Sequence, residues 1–329
     1  MKKRDVINLS LLVIILIVGY LLHINRTYDH TRNELKLDTY IEISLVSKNK
    51  NIDTILDSVF TLIEYYDKEF SYYRSDSRLF EINESANNKI NLTPEYYDIL
   101  ELGRKAYERS NGLFDLTIGP LTDIWSFDNE VIPSLSQIEA AKAKVGFDKI
   151  EYDKDVLIKP GSVKLNFGGI AKGYIIDRIV EFLDRKEIVS GIINIGGDIF
   201  LFGQEKPISV GIQHPRKERN EIIDVIKLQN NAVVTSGDYE RFFIQDGVRY
   251  HHIINPDTGY PAVENLSVTV IAETATIADV YSTAIFLMNR EDALKLIDQL
   301  DGLEALIYYT ENDSILRAGS KNIDKYLIN

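Results

Sequence analysis

The amino-acid sequence predicts one α+β domain with much antiparallel sheet, preceded by a single transmembrane helix. Three observations lead to this prediction. Residues 6–24 form an almost uninterrupted apolar run, and residues 52–70 space their apolar side chains as a helix does. After residue 150, short strands separated by tight turns become frequent. The chain shows no internal repeat and no long linker rich in glycine, serine or proline.

The N-terminal run, VINLSLLVIILIVGYLLHI, has the length of a membrane anchor, because a bilayer core needs roughly 20 apolar residues as a helix. Lys2, Lys3 and Arg4 precede it and predict a cytoplasmic basic end at residues 1–5. A cleaved signal peptide would require small residues at its end, which residues 23–26 do not supply. We therefore expect an uncleaved anchor at 6–24, a polar linker at 25–36 and an extracytoplasmic domain at 37–329.

Composition restricts the classes of ligand. Of the 329 residues, 45% are hydrophobic and 26% are charged, as in an ordinary globular protein. The net charge is −13, and such a body repels the phosphates of nucleic acids. A phosphorylated ligand would therefore need a metal ion, helix N-termini or backbone N–H groups to hold it. The chain has no cysteine, which excludes disulfides, thiolate metal sites and a cysteine nucleophile.

Local patterns predict the elements in order. Residues 37–46 alternate as a strand, and residues 52–70 follow as a helix. Thr93-Pro94 opens the next helix and Asn111-Gly112 closes it. Ser136 and Glu139 predict a capping box for a helix that Gly146 ends. Later in the chain we expect strand pairs 192–195 with 199–202 and 241–245 with 248–254, helices near 170–185, 277–288 and 290–300, and a closing strand at 303–310.

Gly168 and Gly169 stand where an apolar strand runs into a helix. Two glycines let the backbone approach a ligand closely, and the helix N-terminus offers free N–H groups to a phosphate. The alternative is an ordinary turn between a strand and a helix, since glycine-rich turns are common.

Asp279 and Thr283 are four residues apart, so they share one face of the predicted helix near 277–288. A carboxylate and a hydroxyl are hard oxygen ligands that suit Mg²⁺. The alternative is purely structural: Thr276 caps the helix and Asp279 is its third residue. The spacing by itself favours the structural alternative.

His251 and His252 lie on one predicted strand, so they should point to opposite faces and are not expected to share a site. A histidine beside the turn at 256–259 can donate to a phosphate or move a proton, although an ordinary surface histidine fits equally well. Asp115 stands among apolar residues and needs a partner, which is either backbone N–H groups or a ligand.

Taken together and in order, these segments resemble the FAD:protein FMN transferase (ApbE) family. The resemblance spans residues 37–290 and implies an ApbE-like, T-fold-related domain. The matching segments are Phe70–Asn83, Gly112–Trp125, Gly168–Asp177, Asn194–Asp198, Thr235–Arg241, His252–Gly259 and Asp279–Ala284. Seven ordered matches are far more specific than one glycine pattern.

The resemblance implies that Mg²⁺ is bound by the backbone carbonyl of Ala171 and by the side chains of Asp279 and Thr283. It further implies FAD contacts at Leu113, Phe114, Asp115, Gly168, Lys172, Tyr174, Asp198, Ser236, Gly237 and His252. The chain departs from the family pattern at three places. The usual Met-Gly-Thr is Leu37-Asp38-Thr39 here, and two usual aspartates are Asn166 and Asn255.

The expected reaction moves FMN from FAD to a threonine hydroxyl of an acceptor protein, forms a phosphoester and releases AMP. His252 and Asp279 are the candidate catalytic residues. The resemblance points to an extracytoplasmic flavoprotein subunit of a redox complex as the acceptor. Two alternatives stay open: an FAD pyrophosphatase that releases FMN and AMP, and a membrane-bound FAD-binding protein without catalysis.

Overall fold

The computed structural model describes residues 11–18, 20, 26–218 and 221–328. Residues 11–18, which we call α1, and residue 20 are helical and lie inside the predicted anchor. Residues 1–5, and residues 6–10, 19 and 21–24 of the anchor, fall outside the described residues. Within the described ranges, no helix is both long enough and apolar enough to cross a bilayer.

An eight-stranded sheet forms the centre of the body, and every neighbouring pair of its strands is antiparallel. The predicted α+β class with antiparallel sheet is thereby confirmed. With strands numbered along the chain, the order across the sheet is β1 (Tyr28–Lys36), β2 (Thr39–Ser47), β6 (Ile188–Ile195), β7 (Asp198–Phe202), β10 (Ala232–Gly237), β13 (Ser267–Ala272), β14 (Glu304–Glu311) and β15 (Ser314–Gly319).

Both predicted hairpin turns are confirmed: Gly196-Gly197 joins β6 to β7 with φ of 63° and 96°, and Asp246-Gly247 has φ of 51° and 78°. Two consecutive residues with positive φ match the right-handed twist of paired strands.

Three smaller sheets lie outside the central one. They are β3 (Lys89–Asn91) with β5 (Val156–Ile158) and β4 (Glu151–Tyr152), β8 (Ile208–Gln213) with β9 (Ile222–Leu228), and β11 (Phe242–Gln245) with β12 (Val248–His251).

The helices agree with the predicted positions wherever an apolar stripe indicated one. The described body contains eight α-helices: α2 (Ile52–Phe70), α3 (Arg78–Glu84), α4 (Pro94–Arg109), α5 (Gly119–Ile124), α6 (Leu135–Lys142), α7 (Ala171–Asp184), α8 (Ala275–Leu287) and α9 (Arg290–Ile297). Thr93 is the residue before α4, and the chain turns with positive φ at Asn111 and Gly112 after that helix ends.

The predicted capping box of α6 is wrong by two residues. Ser134, not Ser136, is the N-cap: its hydroxyl accepts from the backbone N–H of Gln137, whose side chain accepts from the backbone N–H of Ser134. The sequence holds two overlapping matches to the same pattern, Ser134 with Gln137 and Ser136 with Glu139. Local pattern alone could not decide between them.

The strand predicted at 303–310 is present as β14, but it does not close the sheet. Strand β15 follows it and pairs with it along its whole length. Most of its side chains are exposed, as is common for an edge strand. Its sequence, Ser-Ile-Leu-Arg-Ala-Gly, does not alternate between apolar and polar residues. The pattern that predicted the other strands therefore did not indicate this one.

The polar linker predicted at 25–36 is wrong from Tyr28 onward, because residues 28–36 form β1. All nine residues pair with β2, from Tyr28 opposite Ser47 to Lys36 opposite Thr39. Side chains on one face of β1 contact α2: Arg32 forms an ion pair with Asp57 at 2.6 Å, Lys36 forms one with Glu64 at 3.0 Å, and Nε2 of His30 lies 3.3 Å from Asp53. The inward face of β1 is charged, so apolar alternation could not indicate it.

Helices and sheet enclose the main core on one face of the central sheet. The helices α2, α4, α7 and α8 cover this face, with side chains such as Leu56, Ile99, Ile176 and Ile285 fully buried. The hairpin β8–β9 covers part of the other face, where Ile212 and Ile226 pack against Leu201, Ile271 and Leu306. A third cluster around Trp125, Phe127 and Phe243 supports the hairpin β11–β12. The layers are therefore helices, sheet and hairpin.

Amide hydrogen exchange tests the reassignment of residues 28–36. We expect the amides of β1 that hydrogen-bond to β2 to be protected, since a paired strand shields them from water. A solvated linker would leave the whole segment exchanging as fast as a free peptide. Strand β6, on the other side of β2, is the internal standard. Fast exchange throughout 28–36, with β6 protected, would contradict the assignment.

Candidate functional site

A cavity of about 370 Å³ opens at the end of the central sheet where β10 finishes and α7 begins. Its volume lies within the range of small-molecule sites. Five parts of the chain carry the predicted site residues on its wall: the loop after α4, the start of α7, the end of β10, the inner face of α8 and the segment after β12. The predicted site residues on this wall are Leu113, Phe114, Asp115, Gly168, Lys172, Ser236, Gly237, His252, Asp279 and Thr283.

The first turns of α7 and α8 touch at Gly173, which positions the site. A Cβ atom at Gly173 would lie 2.4 Å from the carbonyl oxygen of Ala275 and 2.8 Å from Cβ of Asp279. The backbone N–H of Gly173 donates to Oδ2 of Asp279 at 2.9 Å. Only glycine permits this approach, because any side chain would push the two helices apart. The contact brings the carboxylate of α8 to the start of α7.

Asp177 fixes the same crossing from the other side. Its carboxylate accepts from the backbone N–H groups of Ala275 (2.8 Å) and Thr276 (2.9 Å) and from the hydroxyl of Thr276. These are donors that the first turn of a helix leaves unpaired. Thr274 is the N-cap of α8, with its hydroxyl accepting from Ile277. The structural alternative, in which Thr276 caps the helix with Asp279 as partner, is therefore wrong.

A chain of hydroxyls orients Thr283. The hydroxyl of Ser282 donates to the carbonyl of Asp279 at 2.9 Å, so its single proton is used there. Ser236 must then donate to Ser282 at 2.8 Å, and Thr283 to Ser236 at 3.2 Å. A hydroxyl has one proton and two lone pairs. The lone pairs of Thr283 Oγ1 thus stay available to a ligand in the cavity.

Asp279 is a buried carboxylate whose charge needs compensation. Its residue is 3% exposed. Burial, followed by the negative charge of Asp198, raises the pKa of Asp279 to about 7, and the charge of Lys172 opposes this effect only in part. A cation beside the carboxylate would favour its ionised form.

The oxygen donors at this point suit a hard divalent cation. Asp279 provides a carboxylate, Thr283 provides a hydroxyl, and both face the start of α7. Ala171 is the first residue of α7, between Gly169 and Lys172, which both line the cavity. In the described part of the chain, no three His, Cys, Asp or Glu side chains cluster as a metal site would need. A cation here would therefore depend on one carboxylate, neutral oxygens and its ligand's own charges.

Lys172 and Asp198 form an ion pair behind the cavity wall. Nζ of Lys172 lies 2.6 Å from Oδ2 of Asp198, whose side chain is 2% exposed, whereas the side chain of Lys172 is 35% exposed. Burial lowers the pKa of Lys172, but the negative charge of the adjacent Asp198 raises it by more. The pKa of Lys172 therefore lies above its ordinary value. Lys172 is therefore positively charged at the start of α7. Asp198, expected to contact the ligand, instead holds Lys172 and does not line the cavity.

The two histidines point to different environments, as strand alternation predicts. His251 is buried at 2% exposure, and its Nε2 lies 2.7 Å from the carbonyl of Ala262. His252 follows the end of β12 and lines the cavity. His252 is exposed at the cavity, and desolvation by the cavity wall, then the charges of His251 and Lys172, lower its pKa. Its imidazole is therefore neutral at neutral pH, able to donate through one nitrogen and accept through the other.

Asp115 has a structural partner and also lines the cavity. Its Oδ1 accepts from the backbone N–H and from the hydroxyl of Thr117, both at 2.7 Å. The Thr117 hydroxyl accepts in turn from the backbone N–H of Gly146 at 2.7 Å. Burial raises the pKa of Asp115, and the Thr117 hydrogen bonds oppose that rise. The side chain thus holds the loop that presents Leu113 and Phe114.

The structure does not support the expected ligand contact of Tyr174. This residue is 3% exposed, and its ring packs edge-on against Tyr66 and Phe70 in the main core. Its backbone N–H donates to Ile170. The side chain lies on the core face of α7, because residues 172 and 174 point in different directions from one helix.

Leu37, where the chain departs from the family pattern, lines the cavity from the turn between β1 and β2. Four further residues of the wall were not singled out by sequence reasoning: Tyr73, Phe127, Glu240 and Arg241. The guanidinium of Arg241 lies 2.8 Å from Asp128 and 5.5 Å from the ring centre of Tyr73. Tyr73 and Arg241 belong to two segments that carried the resemblance. That membership was the one signal that could have identified them.

Comparisons with known proteins agree on one family. The model described as "ApbE family" matches residues 37–307. The FAD:protein FMN transferase of Treponema pallidum is 30% identical over 325 residues, which is 91% of this chain and 89% of that protein. The crystal structure of the ApbE protein of Thermotoga maritima superimposes with a TM-score of 0.82 at 35% identity, over 92% of this chain and 100% of that one. The flavinyl transferase ApbE of Pseudomonas stutzeri gives 0.80 at 27% identity, over 91% and 96%.

Replacing Gly173 by alanine tests the helix crossing. The added methyl group meets the carbonyl of Ala275, so we expect a loss of about 1–3 kcal/mol in the free energy of unfolding. Urea unfolding of the original protein and of the Gly173→Ala variant measures the two free energies of unfolding. Gly161→Ala is the matched control, because a Cβ atom there meets nothing within 4 Å. If both variants were as stable as the original protein, the helices would not be in the contact described.

Proposed function

Because the chain belongs to the ApbE family, we propose that it is an FAD:protein FMN transferase that moves FMN from FAD onto a threonine hydroxyl of an acceptor protein and releases AMP. The observation that carries this proposal is the pair Asp279 and Thr283, held against the start of α7 inside the cavity. The relatives named as flavin transferases support the same reaction class.

The proposed reaction exchanges one phosphorus–oxygen bond for another. The threonine oxygen attacks the phosphorus on the FMN side of the FAD pyrophosphate. A new phosphoester bond forms, the bond to the bridging oxygen breaks, and AMP leaves with that oxygen. The hydroxyl proton passes to a base. Because nothing is oxidised or reduced, the protein must mainly position the groups and balance their charge.

We propose that the carbonyl of Ala171 and the side chains of Asp279 and Thr283 hold Mg²⁺. The bound cation would neutralise the pyrophosphate charge that a chain of net charge −13 otherwise repels. The buried carboxylate of Asp279 and the free lone pairs of Thr283 support this assignment. Lys172 adds a positive charge that Asp198 holds in position.

His252 is the proposed phosphate donor or proton carrier. Its imidazole lines the cavity and is neutral at neutral pH, so one nitrogen can donate to a phosphate and the other can accept a proton; the lowered pKa favours the donor role. Asp279 is the other candidate base, but a carboxylate that binds a cation is a weaker proton acceptor. The flavin contacts proposed on the same wall are Leu113, Phe114, Asp115, Gly168, Lys172, Ser236 and Gly237.

We propose that residues 6–24 anchor the protein in a membrane and that the body lies outside the cytoplasm. The apolar run and the basic residues before it support this location. The acceptor would then be an extracytoplasmic flavoprotein subunit of a redox complex, as the family resemblance implies. Its chemistry at the site is a threonine in an accessible segment.

Removing the carboxylate of Asp279 tests the metal assignment. We expect Asp279→Ala to abolish Mg²⁺-dependent transfer and AMP release, because the cation would lose its only charged protein ligand. AMP and labelled acceptor are quantified by chromatography and mass spectrometry. Asp184→Ala, on the exposed end of α7, is the matched control and should keep full activity. Normal transfer by Asp279→Ala, or full activity of the original protein in EDTA, would exclude a metal at this position.

Replacing His252 by alanine separates chemistry from binding. We expect turnover to fall by about 10²–10⁴-fold, the usual contribution of a positioned proton carrier, while FAD affinity changes far less. Stopped-time assays give the rate, and fluorescence titration with FAD gives the affinity. His214→Ala replaces a histidine that does not line the cavity and serves as the control. An unchanged rate would remove His252 from the mechanism.

Incubation with FAD and Mg²⁺ in the absence of an acceptor distinguishes the transferase from a pyrophosphatase. A transferase forms little AMP until a threonine-bearing acceptor is added, and the acceptor then gains the mass of FMN. Rapid AMP release without an acceptor would favour hydrolysis. Tight FAD binding with no AMP under either condition would favour a binding protein without catalysis.

A further inference from the structure

Strand β1 connects two opposite ends of the central sheet. It begins at Tyr28, opposite Ser47, and ends at Lys36, directly before Leu37 on the cavity wall. Nine strand residues span about 30 Å, because each advances the chain by about 3.3 Å. The start of β1 and the cavity are therefore about 30 Å apart along the sheet.

The strand is a fixed part of the body. Its nine residues pair with β2 in continuous register, and its inward face carries the two ion pairs with α2 and the contact of His30 with Asp53. Exposed ion pairs contribute little individually, so the backbone ladder supplies most of the attachment and the ion pairs fix which face turns inward. Motion of β1 relative to the cavity would require breaking both sets of contacts.

The proposed anchor ends at residue 24, close to the start of β1. The four chain steps from residue 24 to Tyr28 span at most about 14 Å even when fully extended. The sheet end at Tyr28 therefore cannot lie far from the bilayer if residues 6–24 span it. This inference rests on the proposed location and does not depend on the reaction catalysed.

The surface at this sheet end differs in charge from the rest of the protein. We call it the basal end and define it by residues 26–29, 47–53 and 184–187. Its two loops touch, since the backbone N–H of Lys48 donates to the carbonyl of Glu187 at 3.0 Å. The basal end carries five cationic residues, Arg26, Lys48, Lys50, Arg185 and Lys186, and four acidic ones, Asp29, Asp53, Asp184 and Glu187. Its formal charge is +1 in a chain of −13.

We propose that the basal end rests on the membrane surface, where its lysines and arginines contact anionic phospholipid headgroups, and that β1 holds the cavity about 30 Å away from that surface. Charge complementarity and the short connection to the proposed anchor favour headgroups as the occupant of this face. The acceptor must then present its threonine at the height of the cavity and not at the level of the headgroups.

Single-cysteine labelling tests this orientation, and the absence of native cysteine makes the label specific. The full chain, as Lys50→Cys or as Ser314→Cys, is reconstituted into vesicles of phosphatidylcholine and phosphatidylglycerol with rhodamine-labelled headgroups. Residue 50 is exposed at the basal end, and residue 314 is exposed at the opposite end of the sheet. A membrane-impermeant donor dye then labels only bodies outside the vesicle, and energy transfer to the headgroups is measured.

We expect severalfold more efficient energy transfer from residue 50 than from residue 314. Equal efficiencies, or more transfer from residue 314, would overturn the orientation. Flotation is measured on the same samples, and a chain that does not float with the vesicles would refute both the anchored location and the orientation. FMN transfer enters neither readout, so failure of the proposed reaction would leave this result unaffected.

Charge reversal tests the contact with headgroups. Lys48→Glu with Lys186→Glu should lower energy transfer from residue 50, and vesicles of phosphatidylcholine alone should have a similar effect. The matched control, Lys144→Glu with Lys154→Glu, changes two exposed lysines outside the basal end by the same charge. The electrostatic contact would be refuted if energy transfer from residue 50 were unaffected by the two charge reversals at the basal end, or were reduced equally by the control pair.

Discussion

The contact between the first turns of α7 and α8 is the constraint on which the site depends. Gly173 lets the two backbones meet, and Asp177 binds the exposed N–H groups of α8 from the side of α7. Asp279 and Thr283 then face the start of α7 because they lie one helical turn apart on the contacting side. Separating the helices by the width of a methyl group would move both side chains away from the start of α7.

Charge explains why the site needs this arrangement. The chain is acidic, yet the proposed substrate carries a pyrophosphate. The cavity contains the buried carboxylate of Asp279 near the charged Lys172. Asp198 forms an ion pair with Lys172, and the charges of both residues affect the pKa of Asp279. A divalent cation at Asp279 would satisfy the buried carboxylate and the ligand's phosphates together. Without the cation, an ionised Asp279 would oppose the binding of an anionic ligand.

The sheet relates the site to the proposed location. Strand β1 is polar, so its sequence resembles a linker, but its pairing with β2 makes it rigid from Tyr28 to the cavity. A flexible linker would let the cavity sample many heights above a bilayer, whereas a paired strand fixes one. The proposed orientation thus follows from a feature that the local sequence concealed.

The sequence by itself determined the fold class, most helices and the two hairpin turns, because apolar periodicity and turn chemistry are local properties. The region of the site was predicted only from the ordered motifs of the family resemblance. It also indicated that His251 and His252 separate, since strand alternation requires it. Only the tertiary structure decided that β1 is a strand, that Tyr174 packs into the core, and that Asp198 forms an ion pair with Lys172. These outcomes depend on which surfaces meet across the chain. The approach of Gly173 to Ala275 joins residues about a hundred positions apart, and no local pattern encodes that distance.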